Sequence, residues 1–182
     1  YARMRLPVFL LSALLSCFTL SAQIVPPTAD VSKSIAALTT GMTVQAITVD
    51  STGNVYVAGT TTTGFPAATQ TFGPRGDSDV FVIKTNATAD QIIYAVAIGS
   101  SSTDEARAIK VDTSGNLYVL AGTFGTDFPV TSAVTPTYPI GSILFKLNAT
   151  GTALTYSSQL GSRTNALAFD IDSAGAAYIS GS

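Results

Sequence analysis

The sequence of 182 residues contains no histidine and no tryptophan, and its single cysteine is Cys17. Charged residues are also scarce, at 11% of the chain against about 25% in an average soluble protein. Histidine is the commonest general base and cysteine a frequent nucleophile, so their scarcity argues against most enzyme mechanisms. The few basic residues do not cluster, which argues against a nucleic-acid partner.

Strong helix formers are scarce as well, since only one of the eleven acidic residues is a glutamate. Threonine, serine, valine, isoleucine, tyrosine and phenylalanine are plentiful instead. β-Branched and aromatic residues favour strands, and the composition therefore predicts an all-β chain.

The N-terminal segment has the order of a secretory signal peptide. Met4 is the expected true start, Arg5 supplies positive charge, an apolar run of about 15 residues follows, and Ala22 offers a small residue for cleavage. The run is shorter than the roughly 20 residues of a membrane span. We expect residues 1–22 to be removed and the protein to be secreted or held at the cell surface.

Cleavage after Ala22 leaves seven of the nine basic residues against eleven acidic ones, a net charge of −4. It also leaves no cysteine, so the exported fold must be held by packing without disulfides. The stretch Leu14 to Cys17 loosely fits a lipobox, and a lipoprotein with lipid on Cys17 is the alternative.

One phrase occurs three times in the chain. It is spelled "VDSTGNVYVAG" at 49–59, "VDTSGNLYVLAG" at 111–122 and "IDSAGAAYISG" at 171–181. Its aspartates recur after 62 and then 60 residues. Phe-Pro pairs, "KTNATAD"/"KLNATGT" and "IYAVAIG"/"TYSSQLG" recur at nearly the same period. Internal repeats of this size predict a solenoid, a propeller or an array.

Each repeat unit offers four short strands separated by turn residues. In the first unit we predict strands at 45–50, 54–60, 79–85 and 91–98. The second unit repeats them in "RAIKVD", "NLYVLAGT", "SILFKL" and "ALTYSSQL". Four antiparallel strands in each of several repeats are what the blades of a β-propeller require.

These motifs resemble the SBBP-type bacterial β-propeller repeat, which combines V-D-x-x-G-N-x-Y-V-x-G with F-P, F-x-x-K-x-N and Y-x-x-x-x-G. The resemblance covers roughly residues 42–182 and implies an exported scaffold rather than a particular activity. It predicts units at about 42–104, 105–164 and a partial 165–182, and hence an incomplete propeller. Residues 23–41 are then a linker, in which 34–41 is a candidate ring-closing strand.

The repeated turn residues are predicted to be structural. These residues are Asp50, Gly53, Asp112, Gly115, Asp172 and Gly175. An aspartate that opens such a turn accepts hydrogen bonds from turn amides, whereas calcium binding by the same aspartates is the alternative. Phe65-Pro66, Phe128-Pro129 and the repeated tyrosines 56, 118 and 178 are interpreted as blade packing. No cofactor and no catalytic or metal-binding residue is predicted, and calcium at the acidic pairs Asp77/Asp79 and Asp104/Glu105 is a minor alternative.

The connections between strands predict where a partner binds. Alternate connections of an antiparallel blade emerge at opposite ends. The tight turns are spelled alike in each unit, while the longer connections differ, and varied loops are where repeat proteins usually bind. The candidate partner-binding residues are Arg75, Asp77, Asp104, Glu105, Arg107, Tyr138 and Arg163.

Two functions remain open from the sequence. The first is a non-catalytic scaffold or binding module for a protein or glycan partner outside the cell. The second is the N-terminal part of a secreted propeller enzyme that acts on polysaccharide, for which a carboxylate pair would be needed.

Overall fold

A computed structural model of the chain describes residues 41–65, 68–131 and 140–182. It contains eleven strands and no helix in these residues. The strands are β1 (Met42–Val49), β2 (Val55–Thr61), β3 (Gln70–Phe72), β4 (Asp79–Thr85), β5 (Ile92–Ile98), β6 (Asp104–Val111), β7 (Leu117–Thr123), β8 (Gly141–Leu147), β9 (Leu154–Gln159), β10 (Ala166–Ile171) and β11 (Ala177–Gly181).

The first sheet has the order β1-β2-β4-β5-β3. Neighbouring strands are antiparallel except for β3, which pairs parallel to β5 from Gln70–Val96 to Phe72–Ile98. β4 is buried along its whole length and β2 at all but one position, because both faces of these central strands are covered. Their nearly continuous apolar runs follow from this position.

The second sheet repeats the arrangement in the order β6-β7-β8-β9. β10 and β11 form a two-stranded hairpin that corresponds to the first two strands of a further blade. The expected all-β propeller-blade architecture is confirmed. The sheets are almost wholly antiparallel as predicted, and the first blade differs from the predicted four strands only in the short β3, which adds a fifth strand in parallel.

The main core lies between the two sheets. Tyr56, Val82 and Val96 of the first blade share one apolar cluster with Leu117 and Phe145 of the second. The Phe128 and Phe145 rings lie 5.9 Å apart in this cluster. On the other side of the first sheet, Phe65 packs against Phe81 at 5.5 Å. These contacts agree with a packing role for Phe65 and Phe128.

The hairpin packs on the second sheet through a smaller cluster. Tyr118, Leu120 and Leu144 contact Ala166 and Phe169 there. Blades therefore follow one another face to face.

Two of the three repeated tyrosines are buried. Tyr56 is 0% and Tyr118 5% exposed, whereas Tyr178 on β11 is 64% exposed. No described strand covers this side of β11, so the packing role of Tyr178 stays a prediction.

Several predictions fall on parts of the chain that the structure does not describe. The signal peptide at 1–22 with Cys17 lies outside the described residues, as do Pro66 and Tyr138. The linker and the candidate closing strand lie outside them as well, apart from Gly41. They stay predictions. Within residues 41–65, 68–131 and 140–182, no helix is long and apolar enough to cross a membrane.

The turn between β4 and β5 contains a left-handed residue that is not glycine. Ala89 has a φ of 53° and is buried, whereas the same position of the second blade is Gly151 with a φ of 70°. The amide of each residue donates to the carbonyl of the asparagine that opens its turn, at 3.0 Å. Ala89 therefore has a backbone conformation that its Cβ makes unfavourable and that glycine adopts without strain.

Ala89→Gly is expected to raise the free energy of unfolding by up to about 1 kcal/mol, because relief of left-handed strain outweighs the extra conformational entropy that glycine gives the unfolded chain. Ala87→Gly in the same turn is the matched control and is expected to destabilise, since φ at Ala87 is not positive. Urea unfolding of the three proteins measures both changes. A less stable Ala89→Gly protein would contradict the interpretation of the turn.

Candidate functional site

The connections of the blades lie at two opposite ends of the sheets. The pairs Met42–Thr61, Thr61–Asp79 and Val80–Ile98 place the start of β1 and β4 beside the end of β2 and β5. We call the end with the turns 50–54, 86–91, 112–116, 148–153 and 172–176 the turn face. The end with the described residues of the longer connections, 62–65, 68–78, 99–103, 124–131, 140 and 160–165, is the loop face.

The turn face repeats one hydrogen-bonding arrangement three times. Oδ1 of Asp50 accepts from the backbone N–H groups of Thr52 and Asn54 at 2.9 and 3.0 Å. Asp112 does the same at 3.0 and 2.9 Å, and Asp172 at 2.9 and 2.8 Å. The glycine that follows donates its N–H to the aspartate carbonyl in each copy, with a φ between 80° and 88°. The six repeated turn residues thus build the turns.

Each buried tyrosine links its blade to the turn of the next blade. The Tyr56 hydroxyl lies 3.1 Å from Oδ2 of Asp50 and 3.4 Å from the Gly115 carbonyl. The Tyr118 hydroxyl lies 3.1 Å from the Gly175 carbonyl and accepts from Lys146 Nζ at 2.7 Å. The sequence pattern placed these tyrosines in blade packing but did not identify this polar contact.

The turn carboxylates are held ionised by their donors. Burial raises the pKa of Asp50 and of Asp112, but hydrogen bonds from Thr52, Asn54 and Asn116 outweigh burial and leave both pKa values below normal. For Asp112 the ammonium of Lys146, 3.1 Å from Oδ2, lowers the pKa further. The backbone N–H of Ala176 is the main cause of the lowered pKa of Asp172.

The loop face carries most of the predicted partner-binding residues. Arg75, Asp77, Glu105 and Arg163 are exposed there, at the ends of different connections. Arg107 is partly buried within β6, and Tyr138 lies outside the described residues. Partner binding by the exposed residues stays a prediction.

Asp104 does not have the expected surface position. It is 0% exposed at the start of β6, and its Oδ2 accepts from the N–H and Oγ of Ser100. Adjacent residues of a strand point to opposite sides, so Glu105 is exposed where Asp104 is buried. Asp104 is therefore corrected to a structural residue that ties the connection 99–103 to β6.

Asp79 lies in the same buried junction. Oδ1 of Asp79 and Oδ2 of Asp104 both lie close to Gly99. A Cβ at Gly99 would come within 3.0 Å of each of these two oxygens. Asp79 pairs with Arg75 at 3.2 Å and accepts from the Gly76 N–H, whereas Oδ1 of Asp104 has no hydrogen-bond partner. Burial is the main cause of the raised pKa of Asp104, and the Asp79 charge adds to it.

This junction lacks the features of a catalytic or metal site. Asp79 and Asp104 are 3% and 0% exposed, so a substrate has no access to the pair. Among the described residues, no group of three or more histidines, cysteines, aspartates or glutamates is close enough to hold a metal ion. The two buried carboxylates therefore offer no chemistry at the surface.

Asp112→Asn is expected to lower the free energy of unfolding at pH 7 by about 1–2 kcal/mol, because the bonds to the turn amides and Lys146 lose their charge. The folded pKa of Asp112 is depressed, so this contribution is complete above the unfolded pKa of about 3.9 and is lost as pH falls below it. Urea unfolding between pH 2 and 7 measures the difference. Asp172→Asn, in the exposed third copy, is the control and is expected to lose less; equal losses would contradict the role of Lys146.

Asp104→Asn is expected to stabilise the protein at neutral pH. The folded pKa of Asp104 is raised, so its favourable contribution is complete below about pH 3.9 and is lost as pH rises through the folded pKa. The asparagine does not ionise and donates toward Asp79. Thermal unfolding from pH 3 to 8 is expected to show a gain that grows with pH, while Glu105→Gln shows none. A gain that is the same at every pH would contradict the assignment.

Comparison with known proteins agrees with this geometry. No curated protein matches the chain. A family model described as a beta-propeller repeat, SBBP, matches residues 32–66. The match includes β1, the turn opened by Asp50 and β2, which are the elements that recur as β6–β7 and β10–β11. Residues 32–66 are thus similar to the β-propeller repeat that the chain's own repeat unit predicted.

Proposed function

We propose that the protein is a non-catalytic propeller module that binds a protein or glycan partner through its loop face outside the cell. The observation that carries the proposal is the contrast between the two ends of the blades. The turn face uses its side chains for the same internal bonds in every copy, with Asp50, Asp112 and Asp172 each accepting from turn amides. The loop face has different residues in each unit and leaves several of them exposed.

The charges of the loop face suit recognition. Arg75, Asp77, Glu105 and Arg163 come from three different connections or strand ends, so rigid sheets hold them at separate points of one surface. Charged and polar groups placed in this way give specificity and faster association rather than raw affinity. Export rests on the signal peptide predicted at 1–22, and N-terminal sequencing that begins at Gln23 tests it.

A propeller enzyme is the less favoured function. The carboxylate pair that the structure brings together, Asp79 with Asp104, is buried beneath the loop face. A general acid must reach its substrate, and neither group does.

Two sets of alanine substitutions test the proposal. The loop-face set replaces Arg75, Asp77, Glu105 and Arg163. The turn-face set replaces Ser51, Thr113 and Ser173, which are exposed at one turn position. The loop-face set is expected to weaken binding to intact cells or to a glycan panel by tenfold or more, while the turn-face set leaves it unchanged. Circular dichroism monitors the fold of both. Binding lost only with the turn-face set would contradict the proposal.

A further inference from the structure

A cleft of about 170 Å³ opens on the loop face between the second blade and the hairpin. Ends of β7 and β8 and the connection before β10 form its walls. The cleft is lined by Arg107, Gly122, Thr123, Phe124, Ile140, Gly141, Arg163, Thr164 and Asn165. It is therefore a concave site that contains two arginines, in a protein with more acidic than basic residues.

The two arginines differ from the other cations that the structure describes. Arg75, Lys110 and Lys146 each form an ion pair with an aspartate, at 3.1 to 3.2 Å. Lys84 lies over the Tyr56 ring, with Nζ 4.9 Å from the centroid. In the described part of the chain no carboxylate pairs with Arg107 or Arg163. Two unpaired guanidinium groups in one cleft make it a site for an anion.

Arg107 is preorganised for such a ligand. Its Nη1 donates to Ser142 Oγ and to the Ala166 carbonyl, both at 3.0 Å, which fixes the guanidinium plane. Nη2 lies over Gly122, where a Cβ would come within 2.7 Å of it. The remaining N–H groups of the guanidinium have no bond to a described residue, and this fork matches the geometry of a carboxylate.

The position of Arg107 is specific to the second blade. A bulge interrupts the inner strand of each blade between Val44 and Ala46, between Ala106 and Ala108, and between Ala166 and Ala168. The bulged residues are Gln45, Arg107 and Leu167. The bulge of the fold therefore accepts an uncharged residue in the other two blades, and the charge at Arg107 is particular to the second blade.

Arg163 reaches the cleft from a strained backbone. Its φ of 54° is uncommon for a residue with a side chain, and its N–H donates to the Ile140 carbonyl at 2.8 Å. The guanidinium is exposed and makes no bond to a described residue.

The rim of the cleft adds an aromatic ring. Phe124 is 47% exposed, and Asn165 is exposed beside it. An exposed ring packs against the C–H face of a sugar, and an amide side chain bonds to its hydroxyls. These groups favour a sugar over a peptide as the carrier of the anion.

We propose that this cleft binds the carboxylate of a sugar acid, with Arg107 and Arg163 donating to the carboxylate and Phe124 packing against the ring. The inference rests on the proposed function and names the ligand class of the loop face. The acidic glycan would enter from solvent, and the positive charge of the two arginines would attract it.

Calorimetric titration of the whole chain with a galacturonic acid trisaccharide tests the inference, with the neutral methyl ester of the same trisaccharide as the matched ligand. Arg163→Gln and Arg107→Gln are each expected to weaken binding of the acid by about tenfold or more, because a hydrogen-bonded charge is lost. Lys110→Gln, which removes a cation that pairs with Asp170 outside the cleft, leaves the affinity unchanged. Phe124→Ala weakens binding of the sugar acid.

Several results would overturn the inference. One is an affinity for the methyl ester equal to that for the acid. Another is the absence of binding to the acid, or an Arg163→Gln protein that binds it normally. Tighter binding of triglutamate than of the trisaccharide would identify an acidic peptide instead. If any of these results is found while the loop-face alanine set still abolishes binding to cells, the sugar-acid inference fails and the proposed function stands.

Discussion

The capture of turn amides by a single carboxylate is the interaction on which the propeller repeat depends. Asp50 fixes the turn between β1 and β2, and this turn sets the register of the pairs from Met42–Thr61 to Val49–Val55. A slip of one residue would exchange the side chains of β2 between the apolar clusters on its two faces, so that Tyr56 would face the cluster that holds Val57. The corresponding turn of the next blade also contacts the blade before it. There the Gly115 carbonyl lies within hydrogen-bond distance of the Tyr56 hydroxyl. Local turn chemistry and blade-to-blade packing are thus joined at one place, which explains why the phrase is repeated.

The copies show how much variation this interaction tolerates. The first two turns contain an asparagine whose side chain donates to Oδ2 of the aspartate at 2.9 Å. The third turn has Ala176 in its place, and the Tyr178 hydroxyl lies 3.2 Å from Oδ2 of Asp172 instead. The two backbone N–H bonds to Oδ1 remain in all three turns. The backbone bonds are therefore the essential part of the motif, and the asparagine is an additional donor.

Most of the strands could be predicted from the sequence, because each carries β-branched and aromatic residues between turn signals. β3 could not, since it is three residues long and forms only where Phe72 meets the edge of β5. The burial of Asp104 was missed although strand alternation implies that only one of two adjacent residues faces solvent. The loop-face cleft was out of reach for another reason. Arg107 and Arg163 are 56 positions apart, and the spacing of the blades alone brings them together.

The bulges at Gln45, Arg107 and Leu167 have a consequence for how such proteins diversify. The extra residue of a β-bulge is not paired with a residue of the neighbouring strand. It therefore does not follow the alternation of side chains between the two faces of the sheet. Its identity is then free of the packing demands on its neighbours, and each blade can change it alone. Each blade of such a propeller then has one variable position at its bulge. Randomising these positions together would produce a library of binding variants on an unchanged scaffold.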